Sequence, residues 1–172
     1  MLKLFGAMLI VLACGYAGFA VARRYQRRPK DLRYIQGALQ MLETEITYGA
    51  TPLPEAFDVV SKRCEKGVAV LFATARDNLL TGDGLTAQEA WDDALKVFCQ
   101  HSAINAGDVA ILKALGAGLG ISDRADQVKH LHLAREQLRI EAIKAEDEAT
   151  KYVKLYHYLG FLGGLTIVII FI

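Results

Sequence analysis

Two uncharged apolar runs mark the ends of the chain, and each predicts a helix that meets lipid. Residues 4–22 carry no charged side chain, and these nineteen residues would extend about 28 Å as a helix, close to the thickness of a bilayer core. Residues 1–22 are therefore predicted to form an N-terminal transmembrane helix. A cleaved signal peptide is the alternative, because Lys3 precedes the run and Ala20-Val21-Ala22 has the small-x-small form of a cleavage site.

The C-terminal run is shorter and predicts a second membrane segment at residues 155–172. Residues 159–172 are uncharged. Tyr156 and Tyr158 suit the headgroup region, and Lys151 and Lys154 can extend their ammonium groups toward water. These flanking residues bring the segment toward the length of a span. A re-entrant or monotopic tail is the alternative.

A basic cluster follows the first apolar run. Its arginines nearest the run are Arg23, Arg24, Arg27 and Arg28. Because basic segments beside a membrane helix stay in the cytoplasm, the cluster predicts a retained helix, an N-terminus outside and a cytoplasmic middle. Contact with anionic lipid headgroups is another interpretation, and it is compatible with the first.

Between the two runs, apolar residues recur at three- and four-residue steps, the spacing of amphipathic helices. The first stripe comprises Leu32, Ile35, Leu39, Leu42 and Ile46. It predicts a helix that begins after Pro29 and stops at Gly49. No segment alternates with the period of a strand. The prediction is an all-α protein, with a six-helix cytoplasmic bundle at residues 23–154 flanked by the two transmembrane helices.

Five further helices complete the predicted bundle. Thr86 and Glu89 have the spacing of a capping box, which predicts the start of the fourth helix. The inward residues expected on the second to fifth helices are Ala56, Phe57, Val60 and Cys64, then Val70, Leu71, Ala73, Leu79 and Leu80, then Trp91, Leu95 and Phe98, then Val109, Leu112 and Leu115. Ser122 or Asp123 can cap the sixth helix. No Pro or Gly follows before Gly160, so this helix should run unbroken into the C-terminal segment.

Composition supports lipid contact and disfavours a nucleic-acid partner and a disulfide framework. Hydrophobic residues make up 53% of the chain, which is high for a soluble domain. The 20 Lys and Arg residues are balanced by 19 Asp and Glu residues, so no overall basic field favours nucleic acid. The 3 cysteines are odd in number and widely spaced, so no disulfide framework is indicated.

The sequence shows no catalytic constellation. The glycine-rich residues 116–120 lack the Lys-Ser/Thr of a phosphate-binding loop and are interpreted as a helix end. His130 and His132 lie about 200° apart around a helix and cannot share a metal ion. Glu43 and Glu45 also face different sides, which disfavours paired acid and base chemistry. No catalytic residue, cofactor or metal site is predicted, and a membrane-bound enzyme is the least favoured hypothesis.

Three longer strings resemble a known family. They are QMLETEITYGATPLPEAF at 40–57, GLGISDRADQVKHLHL at 118–133 and KLYHYLGFLGGL at 154–165. Together they resemble the stage III sporulation protein AB family nearly end to end. The resemblance implies a component of the channel complex that endospore-forming bacteria assemble between mother cell and forespore, placed in the mother-cell membrane. That family is similar to the cytoplasmic six-helix domain of the type II secretion inner-membrane platform protein F, which engages an assembly ATPase.

The resemblance implies a non-enzymatic scaffold that is required for endospore formation and has no catalytic residues to carry over. By analogy, its partners are the ATPase-like stage III sporulation protein AA, other channel subunits and the membrane, with a homo-oligomer as a further candidate. The interface candidates are Glu43, Glu45 and Tyr48 in the first string and Ser122, Asp123, Arg124 and Gln127 in the second. Helix capping or pairing within a helix is the alternative role of each. A lipid-surface organiser acting through the arginine cluster is the alternative function.

Overall fold

The chain is helical throughout its regular elements in the part that the structure describes. This computed structural model describes the backbone of residues 2–49, 51–81, 84–120 and 123–171. The elements are α1 (Leu2–Thr44), a π-helical turn (Glu45–Gly49), α2 (Leu53–Arg63), α3 (Lys66–Thr81), α4 (Ala87–His101), α5 (Ala106–Gly116) and α6 (Arg124–Phe171). No strand occurs among these described residues, so the all-α prediction is confirmed.

The terminal segments are described less fully than the middle of the chain. Side chains at residues 1–12 and 14, and at most positions after 156, are not described. Within the described residues, no helix combines the length and the apolar character needed to cross a bilayer. The predicted transmembrane segments at 1–22 and 155–172 fall largely outside the described side chains.

The chain divides into two compact units. Residues 30–142 form the first, which we call the bundle. Residues 1–29 and 143–172 form the second, which we call the helix pair. Helices α1 and α6 each contribute a segment to both units.

The apolar stripe predicted on the first helix forms part of the bundle core. Leu32, Ile35, Leu39, Leu42 and Ile46 are all buried, as predicted. The predicted start of this helix is wrong, because α1 begins upstream and continues through Pro29. Proline lacks an N–H and therefore removes one helical hydrogen bond, but a longer helix tolerates that loss where packing holds the flanking turns.

Three aromatic side chains join α2, α3 and α4 in the centre of the bundle. Phe57, Phe72 and Trp91 are fully buried, with ring centroids 5.6–5.9 Å apart. The indole Nε1 of Trp91 donates a 2.8 Å hydrogen bond to the carbonyl oxygen of Leu112 on α5. The tryptophan therefore fixes four helices around one ring system.

The predicted inward face of the third helix is wrong in part. Leu71 is buried, but Val70 is exposed and Leu80 is 66% exposed. The face that packs on α2 and α4 consists instead of Val68, Leu71, Phe72 and Ala75. Because apolar residues surround this helix, the sequence offers two competing stripes and burial selects the one that carries Phe72.

Two capping boxes fix the starts of α4 and α5. The predicted box at Thr86 and Glu89 is confirmed, with both reciprocal hydrogen bonds present. A second box at Asn105 and Asp108 opens α5 and was not predicted from the sequence. Helix α6 runs without a break from Arg124 to Phe171, which confirms its predicted continuity.

Candidate functional site

Two of the strings that carry the family resemblance meet at one groove in the bundle. The groove has a volume of about 300 Å³ and is lined by Ile46, Thr51, Leu53, Gly120, Arg124 and Gln127. We call it the junction groove. Its first three lining residues follow the end of α1. Gly120 lies in the α5–α6 connection, and Arg124 and Gln127 lie in the first turn of α6, so residues far apart in sequence share one surface.

The first side of the junction groove is shaped by an irregular helix end. The π-helical turn Glu45–Gly49 closes α1, and Pro52 then precedes the first turn of α2. Glu45 is tied down by an ion pair of 3.6 Å from its Oε1 to Nη1 of Arg63. Tyr48 lies in the same turn and is 85% exposed, so its ring presents apolar surface to solvent.

The second side depends on glycines that let segments approach closely. Gly120 has φ +79°, and a Cβ at this position would lie 2.7 Å from the Cβ of Ala87 and 3.9 Å from Leu53 Cδ2. At Gly116, a Cβ would lie 2.5 Å from Cδ1 of Trp91. The stretch 116–120 therefore ends α5, as interpreted from the sequence, and also gives the α5–α6 connection room to pass beside the core.

The remaining interface candidates have identifiable structural contacts. Asp123 caps α6, because its Oδ1 accepts a 2.8 Å hydrogen bond from the backbone N–H of Asp126. Glu43 forms an ion pair with Arg135 on α6 and contributes to a separate, mostly apolar groove of about 470 Å³. Ser122 lies outside the described residues. Of the seven candidates, Arg124 and Gln127 line the junction groove directly.

A larger groove of about 630 Å³ beside Glu45 carries charge but no arrangement suited to catalysis. Asp58 pairs with Lys62 and Arg76, and these hydrogen bonds hold the pKa of the Asp58 carboxyl below its usual value. The carboxylates of Asp77 and Asp58 in turn raise the pKa of Arg76. The ion pair between Asp58 on α2 and Arg76 on α3 therefore ties these two helices together.

The two described cysteines, Cys64 and Cys99, lack the features of a reactive thiol. Burial raises the pKa of Cys64 and of Cys99, which disfavours the nucleophilic thiolate. Within the described part of the chain, no group of three or more His, Cys, Asp or Glu side chains is placed to hold a metal ion.

The arginine cluster in the helix pair divides into two environments. Arg23, Arg24 and Arg27 are exposed. Arg28 is buried, and its Nη1 lies 3.0 Å from Oε2 of Glu148. Arg28 therefore joins the two helices of the pair, whereas the sequence predicted the same role for all four arginines.

Three comparisons with known proteins agree with one another. The family model described as "Stage III sporulation protein AB (spore_III_AB)" matches residues 3–172. Stage III sporulation protein AB of Bacillus subtilis (strain 168) is 38% identical over 170 residues, which is 99% of each chain. A solved structure of a stage III sporulation protein AB superposes with a TM-score of 0.66 at 36% identity, covering 72% of this chain and 96% of that chain.

Proposed function

This chain belongs to the stage III sporulation protein AB family and so has its role in sporulation, and from this premise we propose that it is a non-enzymatic membrane scaffold of the sporulation channel complex. In this proposal, the terminal segments anchor the chain in the mother-cell membrane. The bundle faces the cytoplasm and docks the ATPase-like stage III sporulation protein AA at the junction groove.

The observation that carries the docking proposal is the meeting of residues 46–53 with residues 120–127 at one groove. The volume of about 300 Å³ lies at the lower limit of small-molecule sites. Its lining combines the aliphatic Ile46 and Leu53 with the cationic Arg124 and the polar Gln127. A groove that combines aliphatic, polar and charged side chains suits an inserted side chain from a protein partner.

Arg124, which lines the groove, and Tyr48, in the same turn as the lining residue Ile46, are the best candidates for binding energy. Tyrosine and arginine are the residue types that most often dominate protein interfaces. Tyr48 is 85% exposed in a turn held by the Glu45–Arg63 pair, so its ring is displayed on ordered backbone. Arg124 is exposed in the first turn of α6, beside the cap made by Asp123.

A combined Tyr48→Ala and Arg124→Glu variant is expected to raise the Kd for the ATPase-like partner at least about 30-fold, because the loss of even one interface hot spot costs roughly 2 kcal/mol or more. Titration of full-length protein in non-ionic detergent with the purified partner measures this. Asp123 is left intact, because replacing it would also remove the helix cap.

A matched variant, Tyr34→Ala with Arg139→Glu, controls for general effects of losing an exposed tyrosine and reversing a charge. Tyr34 lies on α1 and is 45% exposed, and Arg139 is an exposed residue of α6 paired with Glu136. This control should bind the partner like the wild type. Wild-type affinity in a folded Tyr48/Arg124 variant would exclude the junction groove as the docking site.

The proposed topology predicts a labelling pattern in intact sporulating cells. Single cysteines are introduced as Lys3→Cys, Asp83→Cys and Ile172→Cys after Cys14, Cys64 and Cys99 have been replaced. Positions 3 and 172 should react with an impermeant reagent from outside the mother-cell cytoplasm, and position 83 should not. Labelling at position 83 would place the bundle on the wrong side for a cytoplasmic ATPase.

A further inference from the structure

The two helices of the helix pair are held in register by aromatic and ionic contacts. The ring of Tyr25 on α1 lies 5.5 Å from that of Tyr152 and 5.7 Å from that of Tyr156, both on α6. Arg28 and Glu148 pair at 3.0 Å one turn further along. Residue numbers rise on one helix as they fall on the other, so the two helices are antiparallel here.

This register brings exposed cations of both helices to one level. Arg23 and Arg24 lie within two residues of Tyr25, and Lys151 and Lys154 lie within two residues of Tyr152. At about 1.5 Å per residue, each set spans less than one helical turn along its axis. All four side chains are exposed. We call these four residues the basic collar.

No acid occurs in residues 23–27 or 151–156, so no carboxylate on either segment offsets the collar. Two acids of α6 lie about one turn before Lys151: Glu148 pairs with the buried Arg28, and Asp147 is exposed. The ammonium group of Lys151 lies 5.5 Å from the ring centroid of Tyr152, which leaves its charge on the surface of the pair. Four exposed cations against one exposed acid leave the collar with a net positive charge on the surface of the pair.

We propose that the basic collar binds the phosphate headgroups of anionic phospholipids, an inference that rests on the proposed membrane insertion. The run 4–22 precedes Arg23 on α1, and the run 159–172 follows Lys154 on α6. Because the two helices are antiparallel at the collar, both runs extend from the same side of it. A lipid whose acyl chains lie beside those runs has its phosphate at the level of Arg23, Arg24, Lys151 and Lys154. The tyrosine rings at that level suit the same interface.

The choice of a lipid over another polyanion follows from this placement. Nucleic-acid sites are extended basic surfaces with many phosphate contacts, whereas the collar is about one turn deep and adjoins uncharged helix. Each cation close to an anionic surface strengthens binding by about fivefold. Four such cations are enough to select phosphatidylglycerol over the zwitterionic phosphatidylcholine.

The test uses full-length protein in mixed micelles of phosphatidylglycerol and phosphatidylcholine, with bound lipids counted by native mass spectrometry. The wild type should retain phosphatidylglycerol preferentially. In a variant with Arg23→Gln, Arg24→Gln, Lys151→Gln and Lys154→Gln, the ratio of bound phosphatidylglycerol to bound phosphatidylcholine should fall at least about tenfold. The matched control replaces four exposed lysines of the bundle, Lys62, Lys66, Lys96 and Lys113, by glutamine and should keep it.

Three further arms keep the proposal falsifiable. Raising the ammonium acetate concentration should weaken the wild-type preference even if the quadruple variant fails to fold. Inorganic phosphate at the concentration of the lipid should not displace it, and full displacement would mark a simple anion site and overturn the proposal. Equal retention of both lipids by the wild type would overturn it as well.

Failure of this inference is distinguishable from failure of the scaffold proposal. Binding of the ATPase-like partner in non-ionic detergent measures the junction groove in the absence of headgroups. If that binding is present and the lipid preference is absent, the collar proposal alone fails. If the lipid preference is present and partner binding is not, the docking proposal alone fails.

Discussion

Replacing Trp91 by alanine is expected to lower the free energy of unfolding of the bundle by about 3–5 kcal/mol. The side chain is fully buried and packs against both Phe57 and Phe72. Its removal leaves a large cavity and also removes the hydrogen bond to the carbonyl of Leu112. Because four helices contact this one side chain, the loss cannot be repaired by a local shift of a single helix.

Urea titration of the full-length chain in non-ionic detergent, followed by helical circular dichroism, measures this loss. Trp91→Phe separates the two contributions, since it keeps most of the ring volume but leaves the Leu112 carbonyl without its donor. That variant should cost about 1–3 kcal/mol. A Trp91→Ala variant within about 1 kcal/mol of wild type would show that the aromatic cluster is not the centre of the bundle.

The parts of the fold that the sequence predicted are those with one unambiguous apolar stripe. On α1, the spacing of Leu32, Ile35 and Leu39 allows a single buried face. On α3, apolar residues such as Val70 and Leu80 lie outside the buried face, and the pattern could not choose between two stripes. The packing of Phe72 against the neighbouring helices decides which stripe is buried, and the spacing of apolar residues along one helix does not encode that packing.

Helix starts were predicted where the capping box has its usual residue types. The Thr86–Glu89 box is explicit in the sequence, and the Asn105–Asp108 box escaped notice because aspartate replaces the usual glutamate or glutamine. At Pro29 the sequence predicted a helix start that the structure does not have, because α1 continues through this residue. A helix start and a tolerated interior proline have the same local signature, and only the surrounding structure separates them.

For the candidate site too, the sequence predicted individual residues but not the contacts between them. The strings around Tyr48 and Arg124 could be singled out from the sequence, but their meeting at one groove is a tertiary contact that no spacing encodes. Arg28 did carry a usable signal, since it lies four residues before Leu32, in phase with the buried stripe. An arginine in that phase predicts a partner carboxylate, and the structure supplies Glu148.

Replacing Gly116 by alanine is expected to destabilise the bundle by about 1–3 kcal/mol, although the same change inside a helix normally stabilises. Gly116 is the last residue of α5, and a Cβ there would lie 2.5 Å from Cδ1 and 3.2 Å from Cγ of Trp91. The indole cannot move away freely, because its N–H is bonded to Leu112, Phe57 stacks on it and Phe72 packs against it in a T-shaped arrangement.

Gly37→Ala supplies the matched control, because the chemical change is identical and the surroundings are open. Gly37 lies within α1, and a Cβ there meets no heavy atom within 4 Å. This variant should gain up to about 1 kcal/mol from reduced chain entropy and better helix propensity. Opposite signs in the two urea titrations would assign the Gly116 effect to contact with Trp91. Since the chain has 1 tryptophan, its emission should also shift in the Gly116 variant alone. If Gly116→Ala and Gly37→Ala were both stabilising, the indole of Trp91 would be able to shift away from the added methyl group without loss of core packing.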